Sequence, residues 1–132
     1  MILSDQYTNE DLINGGVVVL ASIDGYWGKE TSRMLQIHYG QFFGIGGVDH
    51  QWPENVAANS ALTSGWNCDR TGIGDSMIRS LQRDLGTPVD GILGTVDILA
   101  LQARCGTYQD GVLTGPSPCV MEMQRRLNAG AW

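Results

Sequence analysis

The sequence has few basic residues, and this shortage limits the partners that the chain can bind. Lysine and arginine number 8 against 14 aspartates and glutamates, so the 132-residue chain carries a net charge of -6. Binding to nucleic acid or to anionic lipid depends on clustered cations that neutralise phosphates. We therefore expect no nucleic-acid partner and no charge-driven binding to lipid or teichoic acid. A neutral glycan or a peptide amine remains compatible with this charge.

Long apolar stretches are also missing. No segment approaches the roughly 18 apolar residues that a membrane-spanning helix requires, so no membrane insertion is expected. The first residues, 1–16, lack a basic region followed by an apolar run. We therefore expect no signal peptide.

Residues typical of metal centres and catalytic sites are scarce. Cys68, Cys105 and Cys119 are an odd number without a CxxC pair, which fits neither a disulfide scaffold nor a structural zinc site. Cys105 and Cys119 are candidates for a disulfide, although unpaired thiols are the favoured interpretation. His38 and His50 lack the HExxH spacing of zinc peptidases, and no motif of a cysteine nucleophile is present.

Acidic pairs give an equally poor catalytic signal. Glu30 and Glu54 could serve as the two carboxylates of a glycosidase, but a chain with 14 acids offers many such pairs. The sequence therefore predicts no catalytic residue, no metal and no cofactor, and it indicates a protein that is not itself an enzyme.

Glycine, in contrast, is abundant, and a repeat organises the chain. Four segments combine helical spacing of apolar residues with an ending in an apolar residue followed by Gln. They are residues 28–36, 74–82, 94–102 and 116–124. Polar residues near each start suit helix caps, and Gly86 and Gly106 suit helix ends in the left-handed conformation. Helices this short are marginal alone in water, so they are expected to pack against each other.

Asp-Gly turns lie between the predicted helices, and Asp-Gly is a strong turn signal. Residues 23–28 and 89–94 match closely, residues 109–113 form a third copy, and residues 48–52 form a degenerate copy without the glycine. These repeats predict an all-α fold of two tandem small helical-bundle modules of short helices joined by DG turns. The segments are a leader or linker over 1–15, an irregular module over 16–65 and a regular module over 66–132, with no helix beyond Asn55–Leu62 in the stretch 50–69.

The regular half resembles a known family. Ser80-Leu-Gln-Arg-Asp-Leu-Gly86, Val89-Asp-Gly-Ile-Leu-Gly94 and Ala100-Leu-Gln102 are similar to the LQ helix, VDG turn and second LQ helix of peptidoglycan-binding domains. Residues 24–31 carry the DG-x-W-G-x-x-T form of that family. The ending 123–130 is similar to the C-terminus of phage endolysins from Gram-positive hosts.

This resemblance implies an all-α bundle of three-helix type that attaches non-covalently to peptidoglycan, through the glycan strand, the stem peptide or both. It also implies a catalytic domain of a lytic enzyme elsewhere on the same polypeptide and a location at the bacterial cell wall after release. Two departures concern the turns. Leu93 stands where the first copy has Trp27, and no threonine matches Thr31 in the helix that follows, so the modules need not bind equally.

Seven residues are candidate ligand contacts, because glycan sites pair exposed aromatic faces with amides or carboxylates. They are Tyr26, Trp27, Trp52, Trp66, Asp24, Asp90 and Asp110. Trp27 is favoured as a plug beneath its turn, whereas Trp52 and Trp66 are equally compatible with a surface platform or with packing between modules. The aspartates either form their turns or face a stem-peptide amine.

The repeated glutamines are interpreted as structural. Each is expected to bond the backbone of a turn and so to lock helix to loop, because buried polar groups need partners. They are Gln36, Gln82, Gln102 and Gln124. The predicted function is non-catalytic binding of peptidoglycan that targets an endolysin to its substrate. The alternatives are a small muralytic hydrolase and a structural module that binds protein.

Overall fold

The computed structural model describes residues 20–41 and 46–132, and this part of the chain contains five helices and one two-stranded sheet. In chain order these are α1 (Lys29–His38), β1 (Val48–Gln51), α2 (Pro53–Ala58), β2 (Trp66–Cys68), α3 (Ser76–Leu85), α4 (Thr95–Cys105) and α5 (Pro118–Asn128). No helix within these ranges has the length and apolarity needed to cross a membrane. The predicted leader, 1–15, lies outside the described residues.

The helix ends follow the predicted local signals. The carboxylate of Asp75 accepts hydrogen bonds from two backbone amides in the first turn of α3, and the hydroxyl of Ser117 accepts one at the start of α5. Gly86 and Gly106 end α3 and α4 in the left-handed conformation, with φ of 77° and 69°. Because these signals are local, short sequence patterns are sufficient to specify them.

The parallel pairing of β1 with β2 corrects the predicted fold class. Val48 lies opposite Trp66, and Gln51 lies opposite Cys68, with an irregularity between the two pairs. Of the described residues, 44% are helical and 8% lie in strands, so the fold is mixed α/β and the all-α prediction is wrong. The polar stretch Val48–Gln51 has the composition of a turn. It is extended because distant backbone groups pair with it, as in the 2.8 Å bond from the Val48 amide to the Gly65 carbonyl.

A single contiguous apolar core joins the described parts of both predicted modules. Trp27 and Leu35 from the first half pack in one cluster with Met77, Leu101 and Met123 from the second. Helix α3 packs on α4, α4 on α5, and α5 on α1. The last helix therefore contacts the first.

Candidate functional site

A buried glutamine holds the Asp-Gly turn that follows α3. The Gln82 side-chain oxygen accepts hydrogen bonds from the amides of Asp90 (3.0 Å) and Gly91 (2.8 Å). Its nitrogen donates to the Asp90 carboxylate at 2.7 Å and to the Ile92 carbonyl at 3.1 Å. The turn also rests on the start of the same helix, since the Asp75 amide donates to the Gly91 carbonyl at 2.8 Å. We call this arrangement, in which a helix Gln holds a turn glycine, the glutamine clamp.

Helix α4 forms a second clamp on the next turn. The Gln102 side-chain oxygen accepts from the Gly111 amide at 2.9 Å, and its nitrogen donates to the Asp110 carboxylate at 2.9 Å and to the Val112 carbonyl at 3.0 Å. The hydrogen bond from Gln102, followed by one from the Val112 amide, holds the pKa of Asp110 below its ordinary value. The predicted match between these two turns therefore extends to three of their hydrogen bonds, whereas the bond from the aspartate amide is made in the first turn only.

Helix α5 clamps a turn from the opposite end of the sequence. The Gln124 side-chain oxygen accepts from the amides of Asp24 and Gly25, both at 3.1 Å, and its nitrogen donates to the Tyr26 carbonyl at 2.9 Å. The Ser117 amide donates to the Gly25 carbonyl at 2.9 Å. About 100 residues separate the partners of this clamp, so the repeat closes on itself.

The fourth clamp is reduced. Gln36 accepts from the Gly46 amide at 3.0 Å and donates to the Gly47 carbonyl at 3.1 Å. The held turn therefore lies just before Val48, and the predicted degenerate turn over 48–52 is wrong. All four glutamines are at most 5% exposed, so the prediction that they lock turns to helices is confirmed.

The middle of the chain supplies further supports that the sequence did not reveal. Gln51 accepts from the Leu93 amide at 2.8 Å, and Asn59 accepts from the Leu113 amide at 2.8 Å. The Trp27 amide donates to the Ala61 carbonyl at 2.7 Å. Three turns therefore contact one central segment, residues 51–61. The sequence does not predict these contacts, because they join residues that are far apart in the chain.

The three turn aspartates use one carboxylate oxygen internally. In Asp24, Asp90 and Asp110 this oxygen accepts from the amide two residues further on, at 2.9–3.0 Å, and from a clamp glutamine. All three residues are exposed. They act as turn formers, and the structure places them in three separate turns and not in one site.

The predicted aromatic contacts divide by burial. Trp27 is 0% exposed and donates from its indole nitrogen to the Ser32 hydroxyl at 2.8 Å. It fills the core beneath its turn, which removes it from the candidate ligand contacts. Trp66 is half-buried with its ring edge-on to Trp27 at 5.0 Å, and it donates to the Trp27 carbonyl. Tyr26 is 36% exposed and lies against Gly115.

Trp52 lies beside a polar cluster at the carboxyl end of the sheet. His50, Asp69 and Thr71 form this cluster, and the half-buried Trp52 ring reaches Gly72 next to it. His50 Nδ1 lies 2.5 Å from Asp69, and the Thr71 hydroxyl donates to the same carboxylate at 2.8 Å. We call residues 49–54 and 67–72 the sheet-end face.

Hydrogen bonds lower the pKa values of two acids of this face, Asp69 and Glu54. The side chain of Thr71, and after it the Thr71 amide, hold the pKa of Asp69 below its ordinary value. The pKa of Glu54 is lowered by its own backbone amide and then by Arg70, which lies 2.6 Å away. Over the described ranges, no group of three His, Cys, Asp or Glu side chains could hold a metal ion.

The three cysteines are free thiols, with Cys105 and Cys119 buried and Cys68 exposed. No hydrogen bond joins Cys68 to His50.

No protein-family model, curated protein or solved structure matches the chain.

Proposed function

We propose that the chain binds bacterial peptidoglycan without cleaving it and directs the catalytic domain of an endolysin to the cell wall. The observation that carries the proposal is the repeated glutamine clamp. The LQ and DG residues that resemble peptidoglycan-binding domains are the residues that build the clamps at Gln82, Gln102 and Gln124. The resemblance therefore rests on a coherent structural unit and not on scattered identities.

The net charge of the chain and the many equivalent sites on peptidoglycan agree with this function. A net charge of -6 disfavours phosphate-rich wall polymers and leaves neutral sugar chains as compatible ligands. A repeating polymer also offers many equivalent sites, so weak contacts gain effective concentration when a binding module is linked to an enzyme.

A pull-down with washed, teichoic-acid-stripped peptidoglycan tests the proposal. We expect the purified chain to sediment with the walls and to remain bound at about 0.5 M salt, where exposed charge interactions are screened. An unrelated acidic protein of similar size serves as the control. A chain that stays in the supernatant across several Gram-positive walls would contradict the binding function.

A turbidity assay on the same walls tests the non-catalytic part. We expect the optical density of the suspension to stay constant with this chain alone. Clearing of the suspension would instead support the alternative of a small muralytic hydrolase. Wall binding that is absent while a protein partner co-purifies would support the structural module.

A further inference from the structure

The backbone at His50 is held in an unusual conformation. Its φ of 57° lies in the left-handed region, and among the described residues other than glycine it alone has a positive φ. Such conformations are uncommon for residues with a Cβ, and they cluster at functional sites. The side chain is 36% exposed and its partner Asp69 is 37% exposed. An exposed pair of this kind adds little stability, so stability alone does not account for the strain.

The contacts of His50 fix the orientation of its ring. Nδ1 faces Asp69 at 2.5 Å and Thr71 at 3.4 Å. In the tautomer whose Nδ1–H donates to Asp69, Nε2 is a hydrogen-bond acceptor, and the described residues supply no hydrogen-bond partner for it. Asp69 is itself held by the amide and hydroxyl of Thr71. The ring is therefore held through Nδ1, and Nε2 is left for a ligand.

The charges around this acceptor disfavour an anionic ligand. Asp49, Glu54 and Asp69 outnumber the single cation Arg70, which is paired with Glu54. A carboxylate or phosphate ligand would meet net negative charge here. A neutral hydroxyl donor meets no such repulsion, and Trp52 offers it an apolar ring beside the cluster.

We propose that the sheet-end face is the carbohydrate-contacting site of the chain. In this site His50 Nε2 accepts a hydrogen bond from a sugar hydroxyl, while Trp52 supports the apolar face of the sugar ring. This assignment rests on the proposed peptidoglycan binding and names the part of that ligand, the glycan strand, that the chain contacts.

The substitution His50→Gly in the full chain separates binding from stability. Glycine adopts φ of 57° freely, so we expect the unfolding temperature to be unchanged or higher. Loss of the acceptor should weaken binding to stripped peptidoglycan about fivefold. His38→Ala is the matched control, because His38 is the other histidine of the chain and is exposed on α1. Its wall affinity should equal that of the wild type.

Nuclear magnetic resonance identifies the ligand chemistry. A soluble N-acetylglucosamine oligomer should shift the imidazole signals of His50 and leave those of His38 in place. Shifts caused by a free stem peptide and not by the oligomer would overturn the glycan assignment. The glycan assignment would also be overturned if the wild type binds the walls and His50→Gly binds them equally well. Failure of the wild type to bind any wall is a separate result, which overturns the proposed function and this assignment together.

Discussion

Single buried glutamine residues satisfy the polar groups of the protein interior. Each clamp glutamine satisfies both the donors and the acceptors of a tight turn, and the described side chains leave no buried polar atom without a partner. A buried amide left without its hydrogen-bond partner costs free energy. The clamp glutamine is therefore a major contributor to the stability of its turn, beside the bonds from the central segment.

Removal of a clamp should be costly. Gln82→Ala leaves the amides of Asp90 and Gly91 without their acceptor, so we expect the free energy of unfolding to fall by about 2–4 kcal/mol. Chemical denaturation followed by circular dichroism measures this change. Gln109→Ala, at an exposed glutamine, should alter stability by less than about 0.5 kcal/mol. Equal effects of the two substitutions would refute the structural role of the clamp.

Two glycines separate backbone conformation from close packing. Gly74 and Gly86 have nearly the same φ, 76° and 77°, but a Cβ on Gly74 would overlap the Asp90 carbonyl, whereas one on Gly86 would meet nothing within 4 Å. Gly86→Ala should cost about 1–2 kcal/mol from conformation alone. Gly74→Ala should cost about 2 kcal/mol more, because backbone must move. Denaturation of both variants side by side tests the difference, and equal losses would argue against the close approach.

Among the secondary-structure elements, the sequence predicts those that local interactions determine and misses those that depend on a distant segment. Helices α3 to α5 follow apolar spacing, polar caps and terminal glycines, so their patterns were sufficient. Strands β1 and β2 were missed because Val48–Gln51 has no alternating pattern and depends on a partner in another segment. The same limit applies to the site. The DG turns were recognisable, but His50 and Asp69 lie 19 residues apart and meet only through the parallel pairing.

The pairing of α3 with α4 should depend on pH. Arg104 lies 2.9 Å from Asp84 and is the largest cause of the lowered pKa of that carboxyl, whose ordinary value is 3.8. Because the pKa is lower in the folded state, the ionised carboxylate stabilises the fold above about pH 4, and this contribution is lost as the pH falls through the folded value.

Asp84→Asn removes this contribution. We expect the variant to be less stable than the wild type at neutral pH and to lose less stability on acidification below about pH 4. Urea midpoints measured across that range provide the test. The double variant with Arg104→Gln should lose as little stability on acidification as Asp84→Asn, whatever its stability at neutral pH. Parallel pH profiles for wild type and Asp84→Asn would contradict the assignment.

The clamps form a closed series in the whole molecule. Three hold turns that follow their own helix, and the last joins Gln124 to the Asp24–Gly25 turn. Two hydrogen bonds between Ala21 and Asn128, both 2.8 Å, lie close to this junction. The same arrangement of helices could therefore form in a chain whose ends lie between two other elements.

A circular permutant tests this closure. A glycine- and serine-rich linker of about 15 residues would join Trp132 to Met1, and new ends would lie between Tyr108 and Gln109. Tyr108 is 83% exposed, so the new break disturbs little packing. We expect a single cooperative unfolding transition within about 10 °C of the wild type. Loss of the cooperative transition would show that the order of the elements is essential.

The contact between Ala21 and Asn128 also affects how this fold can be combined with other proteins. A folded body whose entry and exit points are neighbours can be spliced into a surface loop of a host protein without forcing the host's two halves apart. The stretch from Ala21 to Asn128 is therefore suited to insertion inside another chain. A surface loop that accepts it would gain a new module while both flanking segments keep their original spacing.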